Sequence, residues 1–130
     1  MNGINALTRI LEKDPRYKKE AYFFVLEALD YSRKKFKVER HVTGRQLLEG
    51  IKELALNRFG PMAKLVFEYW GVRETIDFGN IVFNMVEEKI LSKTEEDKIE
   101  DFKDVYNFEE VFVANYKPRF SKNKKGENLR

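Results

Sequence analysis

The chain has 130 residues, of which 42% are apolar and 14% aromatic; these can fill one hydrophobic core and leave little room for a second. It has no cysteine and a single histidine, which excludes a disulfide framework, a thiolate metal site, a cysteine nucleophile and any site built on two histidines. Charged residues reach 36%, a proportion typical of heat-adapted proteins and of small, highly soluble domains alike.

The N-terminal residues lack the basic-then-apolar pattern of a signal peptide. The longest apolar run covers residues 22–26, far short of the ~20 residues that span a bilayer. We therefore expect a cytoplasmic protein with no membrane partner.

Hydrophobic periodicity predicts a mainly α fold, a compact domain of five to six helices over residues 1–116. The first helix is predicted over residues 4–13 and ends because Asp14 precedes a proline. The second is predicted over residues 18–36, and its last turn is basic, as the negative end of the helix dipole favours.

Capping signals divide the middle of the chain. Thr43 and Gln46 have the spacing of a capping box, which predicts that a third helix begins there and stops at Gly60. A short fourth helix is predicted over residues 62–70. Thr75 is predicted to cap the fifth helix.

The fourth and fifth helices together resemble a helix-turn-helix, with Gly71 in the sharp turn and Val72 pointing inward. The segment around 90–106 could then form the small β-hairpin of a winged-helix domain, or alternatively another helical turn. Asn107 has the spacing to cap a last helix that ends near residue 116.

A helix that reads a DNA duplex presents Arg, Lys, Asn or Gln at its exposed N-terminal positions. In the predicted fifth helix only Asn80 and Asn84 meet that need, while phosphate would repel Asp77, Glu87 and Glu88. We expect this helix to pack on the core, to show solvent an acidic face, and not to read a duplex.

The net charge of +3 is unevenly distributed along the chain. Residues 33–45 and residues 117–130 each carry +5, whereas residues 87–110 carry −6. We predict that residues 117–130 form a flexible basic tail and that both basic segments neutralise phosphates without reading sequence. The candidate nucleic-acid contacts, including one aromatic ring that could stack on a base, are Arg33, Lys34, Lys35, Lys37, Arg40, Lys117, Arg119, Phe120, Lys122, Lys124 and Lys125.

No catalytic set, metal site or cofactor motif is recognisable. His41 is expected to hydrogen-bond the connector before the third helix, and a catalytic role stays open because histidine is the commonest general base. The acids between Glu95 and Asp101 lack the alternating ligands and central glycine of a calcium loop. Phe83 and Tyr69 fall off the apolar stripes, and exposed aromatics would mark a partner surface.

Several short strings resemble a family of short bacterial conserved hypothetical proteins. They lie at residues 40–44, 47–51, 58–63, 69–72, 77–79, 93–97 and 101–106. The resemblance covers residues 4 to 112 approximately and leaves out the basic tail. It implies no activity, ligand or catalytic residue.

Three functions follow from these patterns. The leading prediction is a non-catalytic binding module that contacts nucleic acid. The alternatives are a protein–protein adaptor or homodimer, and an enzyme with a site around His41.

Overall fold

The computed structural model describes residues 2–39, 41–92 and 97–117. Its α-helices are α1 (Asn2–Lys13), α2 (Lys19–Phe36), α3 (Gly44–Phe59), α4 (Ala63–Tyr69) and α5 (Thr75–Glu87). Short 3₁₀ turns at Gly60–Met62 and Ile99–Phe102 and a π-helical segment at Glu109–Ala114 complete the described part. The prediction of a mainly helical fold is confirmed. In these ranges no helix has both the length and the apolar character needed to cross a membrane.

α2 and α3 form an antiparallel pair at the centre of the molecule. Near the end of α2, the Ser32 hydroxyl donates to the carbonyl of Gln46 at 3.3 Å, close to the start of α3. Near the other end of the pair, Arg58 forms an ion pair with Glu27. The last turn of α2 and the first turn of α3 therefore lie at the same end of the domain.

The core is rich in packed aromatic rings, and Phe67 of α4 lies at their centre. Its side chain is fully buried, with five other ring centroids between 5.1 and 5.8 Å away. Those rings come from α2, the end of α4, α5 and the C-terminal segment: Phe24, Trp70, Phe78, Phe108 and Phe112. The short helix α4 is thus held by tertiary packing, because isolated helices of this length are not stable in water.

Two of the predicted caps are confirmed. Thr43 Oγ1 accepts from the backbone N–H of Gln46 at 3.1 Å, and the Gln46 side chain accepts from the backbone N–H of Thr43 at 3.0 Å. Asn107 Oδ1 accepts from the backbone N–H of Glu110 at 2.9 Å at the start of the last segment. Hydrogen bonds of this kind can be predicted from the sequence because the donor and acceptor residues are only three positions apart.

Thr75 does not cap α5, and that prediction was wrong. Glu74 is the capping residue, and its backbone N–H donates to the Asp77 carboxylate at 3.0 Å. Thr75 is buried, and its hydroxyl donates to the carbonyl of Phe102 at 2.6 Å and accepts from the N–H of Val105 at 3.1 Å. The Thr75 hydroxyl therefore bonds to a residue 27 positions away in the sequence and does not cap the N-terminus of α5.

The predicted winged-helix hairpin is not formed in the described part of residues 90–106. After α5 the chain turns through Lys89, which has a positive φ of 63°, and Ile99–Phe102 is a 3₁₀ turn. The backbone groups of Phe102 and Val105, which a returning strand would pair, bond to the Thr75 hydroxyl. Residues 93–96, placed at the tip of the predicted hairpin, lie outside the described residues.

Candidate functional site

The first basic segment lies at the C-terminal end of α2. Lys37 ends the helix with a positive φ of 58° and is exposed. Lys34 pairs with Asp30 at 3.2 Å, and Lys35 pairs with Glu53 at 2.8 Å. Exposed ion pairs of this kind contribute little free energy, so both lysines can still contact a partner.

The second basic segment begins at Lys117, which is exposed and is the last described residue. The Tyr116 hydroxyl lies 3.2 Å from the position that a Cβ on Gly60 would take, so Tyr116 lies beside the C-terminal end of α3. α3 has 16 residues and is about 24 Å long. Lys37 and Lys117 therefore lie near opposite ends of the α2–α3 pair. The other predicted contacts, Arg40, Arg119, Phe120, Lys122, Lys124 and Lys125, lie outside the described residues.

Three polar side chains of α5 contact the α1–α2 connector, while Glu87 at the end of the helix is exposed. Asn80 donates to the Tyr17 hydroxyl at 2.9 Å, and Asn84 donates to Asp14 at 2.8 Å. Asp77 accepts from the Tyr17 hydroxyl at 2.6 Å. Both asparagines that could address adenine are thus engaged with the α1–α2 connector.

This connector gives the protein an acid-sensitive contact. Hydrogen bonds from the Arg16 side chain, helped by the Asn84 amide, lower the pKa of Asp14 from 3.8 to about 2. A carboxylate with a lowered pKa in the folded state contributes stability above its unfolded pKa and loses it as the pH falls.

We expect the free energy of unfolding to fall between pH 4 and pH 2, and Asp14→Asn to make that fall shallower in urea titrations at each pH. Asp30→Asn, at an exposed surface pair, is the matched control and should leave the slope unchanged; equal slopes in Asp14→Asn and the wild type would contradict the assignment.

A cleft of about 210 Å³ lies between the end of α2, the start of α3, α5 and the Ile99–Phe102 turn. The side chains that form its apolar wall come from all four elements: Leu29, Leu47, Val82, Phe83, Val86 and Phe102. The sequence placed Phe83 off the apolar stripe of its helix. Phe83 lines the cleft together with Val82 and Val86, beside the part of α5 that Ile99 and Phe102 contact at Gly79.

His41 lies in this cleft. Its Nε2 is 3.0 Å from Asp97 Oδ1, just before the Ile99–Phe102 turn, so its partner is not the connector that the sequence suggested. Ser92 also lines the cleft, but among the described residues no hydrogen bond joins it to the imidazole. A serine–histidine–aspartate arrangement is therefore not assembled here.

The covering turn is fitted closely to α5 at Gly79. A Cβ on Gly79 would lie 2.8 Å from both Cβ and Cγ of Phe102 and 2.9 Å from Cδ1 of Ile99. Overpacking of this kind costs ~1–3 kcal/mol, whereas alanine would improve helix propensity by up to ~1 kcal/mol. We expect Gly79→Ala to destabilise the protein by about 1 kcal/mol in urea unfolding, with Glu87→Ala on the exposed part of α5 as the near-neutral control. A more stable Gly79→Ala protein would show that the turn does not rest on α5 this closely.

Exposed apolar side chains form a second feature of the surface. Met62, Leu65 and Tyr69 are 53%, 56% and 71% exposed. Their spacing of three and four residues places them on one face of α4 and the turn before it. The prediction that Tyr69 is exposed is confirmed, whereas Phe83 is half-buried in the cleft.

In the described ranges, no three histidine, aspartate or glutamate side chains are grouped so that they could hold a metal ion. The described part of the chain is a helical domain with a mixed apolar and polar cleft beside His41. No protein-family model, curated protein or solved structure matches this chain. The resemblance to bacterial conserved hypothetical proteins therefore stays a prediction.

Proposed function

We propose that the chain is a non-catalytic binding module that contacts nucleic acid through its basic segments, chiefly through residues 117–130. The observation that carries this proposal is the distribution of charge. Residues 117–130 carry +5 in a chain of net charge +3, so the residues before them sum to −2. This segment therefore has the largest excess of positive charge over the rest of the chain, which favours it as the main contact with phosphate.

Several cations of the folded domain lie beside carboxylates, which offset their charge. Lys35 pairs with Glu53, Arg58 with Glu27, and Lys64 with Glu68. The exposed cations at the end of α2, Lys34 and Lys37, can add contacts with nucleic acid. They lie, however, at the opposite end of the α2–α3 pair from Lys117. We therefore assign them a secondary role.

The mechanism is phosphate neutralisation with release of counterions, and Phe120 adds a ring on which an unpaired base can stack. Sequence reading is not part of the proposal, because Asn80 and Asn84 are engaged inside the protein. Single-stranded RNA or DNA suits this combination best, since its bases are free to stack.

The test is fluorescence anisotropy with generic single-stranded RNA and DNA across a salt series. Each neutralised phosphate contributes a slope of about −0.7 to log K against log salt, so six tail cations predict a slope near −4 for the full chain, by order of magnitude. A chain cut after Tyr116 should lose most of this binding. The matched control is the full chain with Lys34→Ser and Lys37→Ser, which should lose much less. Full binding by the truncated chain, or salt-independent binding, would refute the tail as the contact.

A second candidate function is a protein–protein adaptor or homodimer. The exposed stripe of Met62, Leu65 and Tyr69 favours it, since adjacent large apolar side chains are characteristic of contact surfaces. Sedimentation velocity over a range of concentrations should then show a dimer that Leu65→Glu abolishes. A wild-type chain that stays monomeric throughout would remove the homodimer.

A further inference from the structure

An apolar groove lies between α1, α2 and the end of α5, away from the cleft beside His41. Its volume is about 440 Å³, which is in the range of small-molecule sites. The residues that line this α1–α2 groove are Leu7, Thr8, Leu11, Lys19, Tyr22, Phe23, Leu26, Met85 and Ile90. Nearly all of them are aliphatic or aromatic, so the groove suits a ligand with an apolar body.

Two helix faces form the walls of the groove. On α2, Lys19, Phe23 and Leu26 are spaced by four and three residues and therefore share one face. Leu7 and Leu11 have a spacing of four on α1. Seven residues of helix extend about 10 Å, and a saturated chain advances about 2.5 Å for every two carbons, so about eight carbons match the α2 face.

The apolar walls of the groove are only partly covered by the rest of the protein. Phe23 is 54% exposed, and the three leucines of the groove are half-buried. An aliphatic chain laid along these side chains buries apolar surface on both partners. Each methylene that is fully buried in this way raises the affinity about fourfold.

The groove has a charged group at one end only. Lys19 is the first residue of α2, so it marks the end of the groove next to the α1–α2 connector. Among the described residues no carboxylate lines the groove or forms an ion pair with Lys19. Glu20 follows it in the helix but points about 100° away, and Glu88 pairs with Arg9 and Lys13. The lining therefore has a charge of +1 that no acid within it offsets.

From the apolar walls and this single cation we propose that the α1–α2 groove binds a medium-chain fatty acid, one saturated chain with one carboxylate. The chain lies along Leu7, Phe23 and Leu26, and the carboxylate meets the Lys19 ammonium at the connector end. Most of the affinity comes from the chain, because an exposed ion pair contributes little free energy. This site does not involve residues 117–130 and does not depend on nucleic-acid binding.

The experiment titrates the full chain with four single-chain probes: octanoate, hexanoate, octylamine and octan-1-ol. Amide chemical shifts give both the location of each probe and its Kd. We expect octanoate to bind about fifteenfold more tightly than hexanoate, because two more methylenes are buried, and more tightly than the amine. The shifts should be concentrated at Leu7, Leu11, Phe23 and Leu26. Failure of octanoate to bind, equal affinities for the two acids, a preference for the amine, or shifts confined to residues 117–130 would overturn the proposal.

Two lysine variants test the head group. Lys19→Gln should lower octanoate affinity about threefold and leave octan-1-ol unaffected, because only the carboxylate loses a partner. Lys18→Gln is the matched control, since it removes the same charge from a neighbouring lysine that does not line the groove and whose Nζ lies 5.1 Å from the centroid of the Tyr69 ring. Octanoate affinity should change much less in that variant. Equal losses in the two variants would refute the contact with Lys19.

Phe23→Ala tests the wall of the groove and the competing occupant, a second copy of the chain. The ring is largely on the surface, so the fold should be kept, while octanoate and octan-1-ol should both bind about fivefold more weakly. Unchanged affinities would refute the site. A wild-type dimer in sedimentation velocity that Phe23→Ala abolishes and that excludes octanoate would place the second copy in the groove and overturn the proposal.

Discussion

Replacement of Phe67 by alanine is expected to lower the free energy of unfolding by about 3–5 kcal/mol, a large fraction of the total for a domain of this size. The ring is fully buried and lies within 5.8 Å, centroid to centroid, of five other aromatic rings. Its removal leaves a cavity in contact with α2, α5 and the C-terminal segment, and these elements cannot all move inward to close it. Urea unfolding followed by circular dichroism measures the loss.

The matched control is Phe23→Ala, which deletes the same ring from α2 where it is 54% exposed. That change should cost less than ~1 kcal/mol, because surface substitutions rarely cost more. Similar losses in the two variants would contradict the central position of Phe67.

Gly71→Ala is expected to cost about 3 kcal/mol. Gly71 has a φ of +93°, which an L-residue with a Cβ rarely adopts, and a Cβ there would lie 2.0 Å from the carbonyl oxygen of Arg16. The strain of the positive φ adds ~1–2 kcal/mol and the clash with backbone a further ~1–3 kcal/mol. Relief would require the α1–α2 connector to move away from the α4–α5 turn, where Lys18 N–H donates to the carbonyl of Trp70 at 3.0 Å.

Arg73→Ala provides the comparison in the same turn. Arg73 is exposed, and the bond that its backbone N–H donates to Asp77 survives the substitution. The free energy of unfolding of the Arg73→Ala protein should stay within ~0.5 kcal/mol of the wild type. A Gly71→Ala protein as stable as Arg73→Ala would mean that the two connectors are not packed as described.

Much of the fold could be predicted because its signals are local. The apolar spacing of α2, the capping box of Thr43 with Gln46 and the glycine after α4 each depend on residues within one or two helical turns. Val72, predicted to point inward, is fully buried. Local rules failed at Thr75, whose hydroxyl bonds to Phe102 and Val105, and at the hairpin that those same backbone groups would have paired.

For the candidate sites too, some features follow from the sequence and others only from the fold. The charge of each basic segment is a property of the sequence, and so is the conclusion that residues 117–130 hold more positive charge than the whole chain. That Lys37 and Lys117 lie near opposite ends of the α2–α3 pair is a property of the fold. Asn80 and Asn84 looked available on a helical face, and their partners Tyr17 and Asp14 are more than sixty residues away.

The helices, most of their ends and the uneven charge follow from the amino-acid sequence, because each depends on neighbours along the chain. Which polar side chains are engaged inside the protein, and where a cavity opens, depends on how distant segments pack. The cleft combines residues from α2, α3, α5 and the Ile99–Phe102 turn. The hydrophobic periodicity of a single helix cannot predict this cleft, because a cavity depends on how closely separate elements pack. Beside the cleft, for example, Phe102 packs closely against Gly79 of α5.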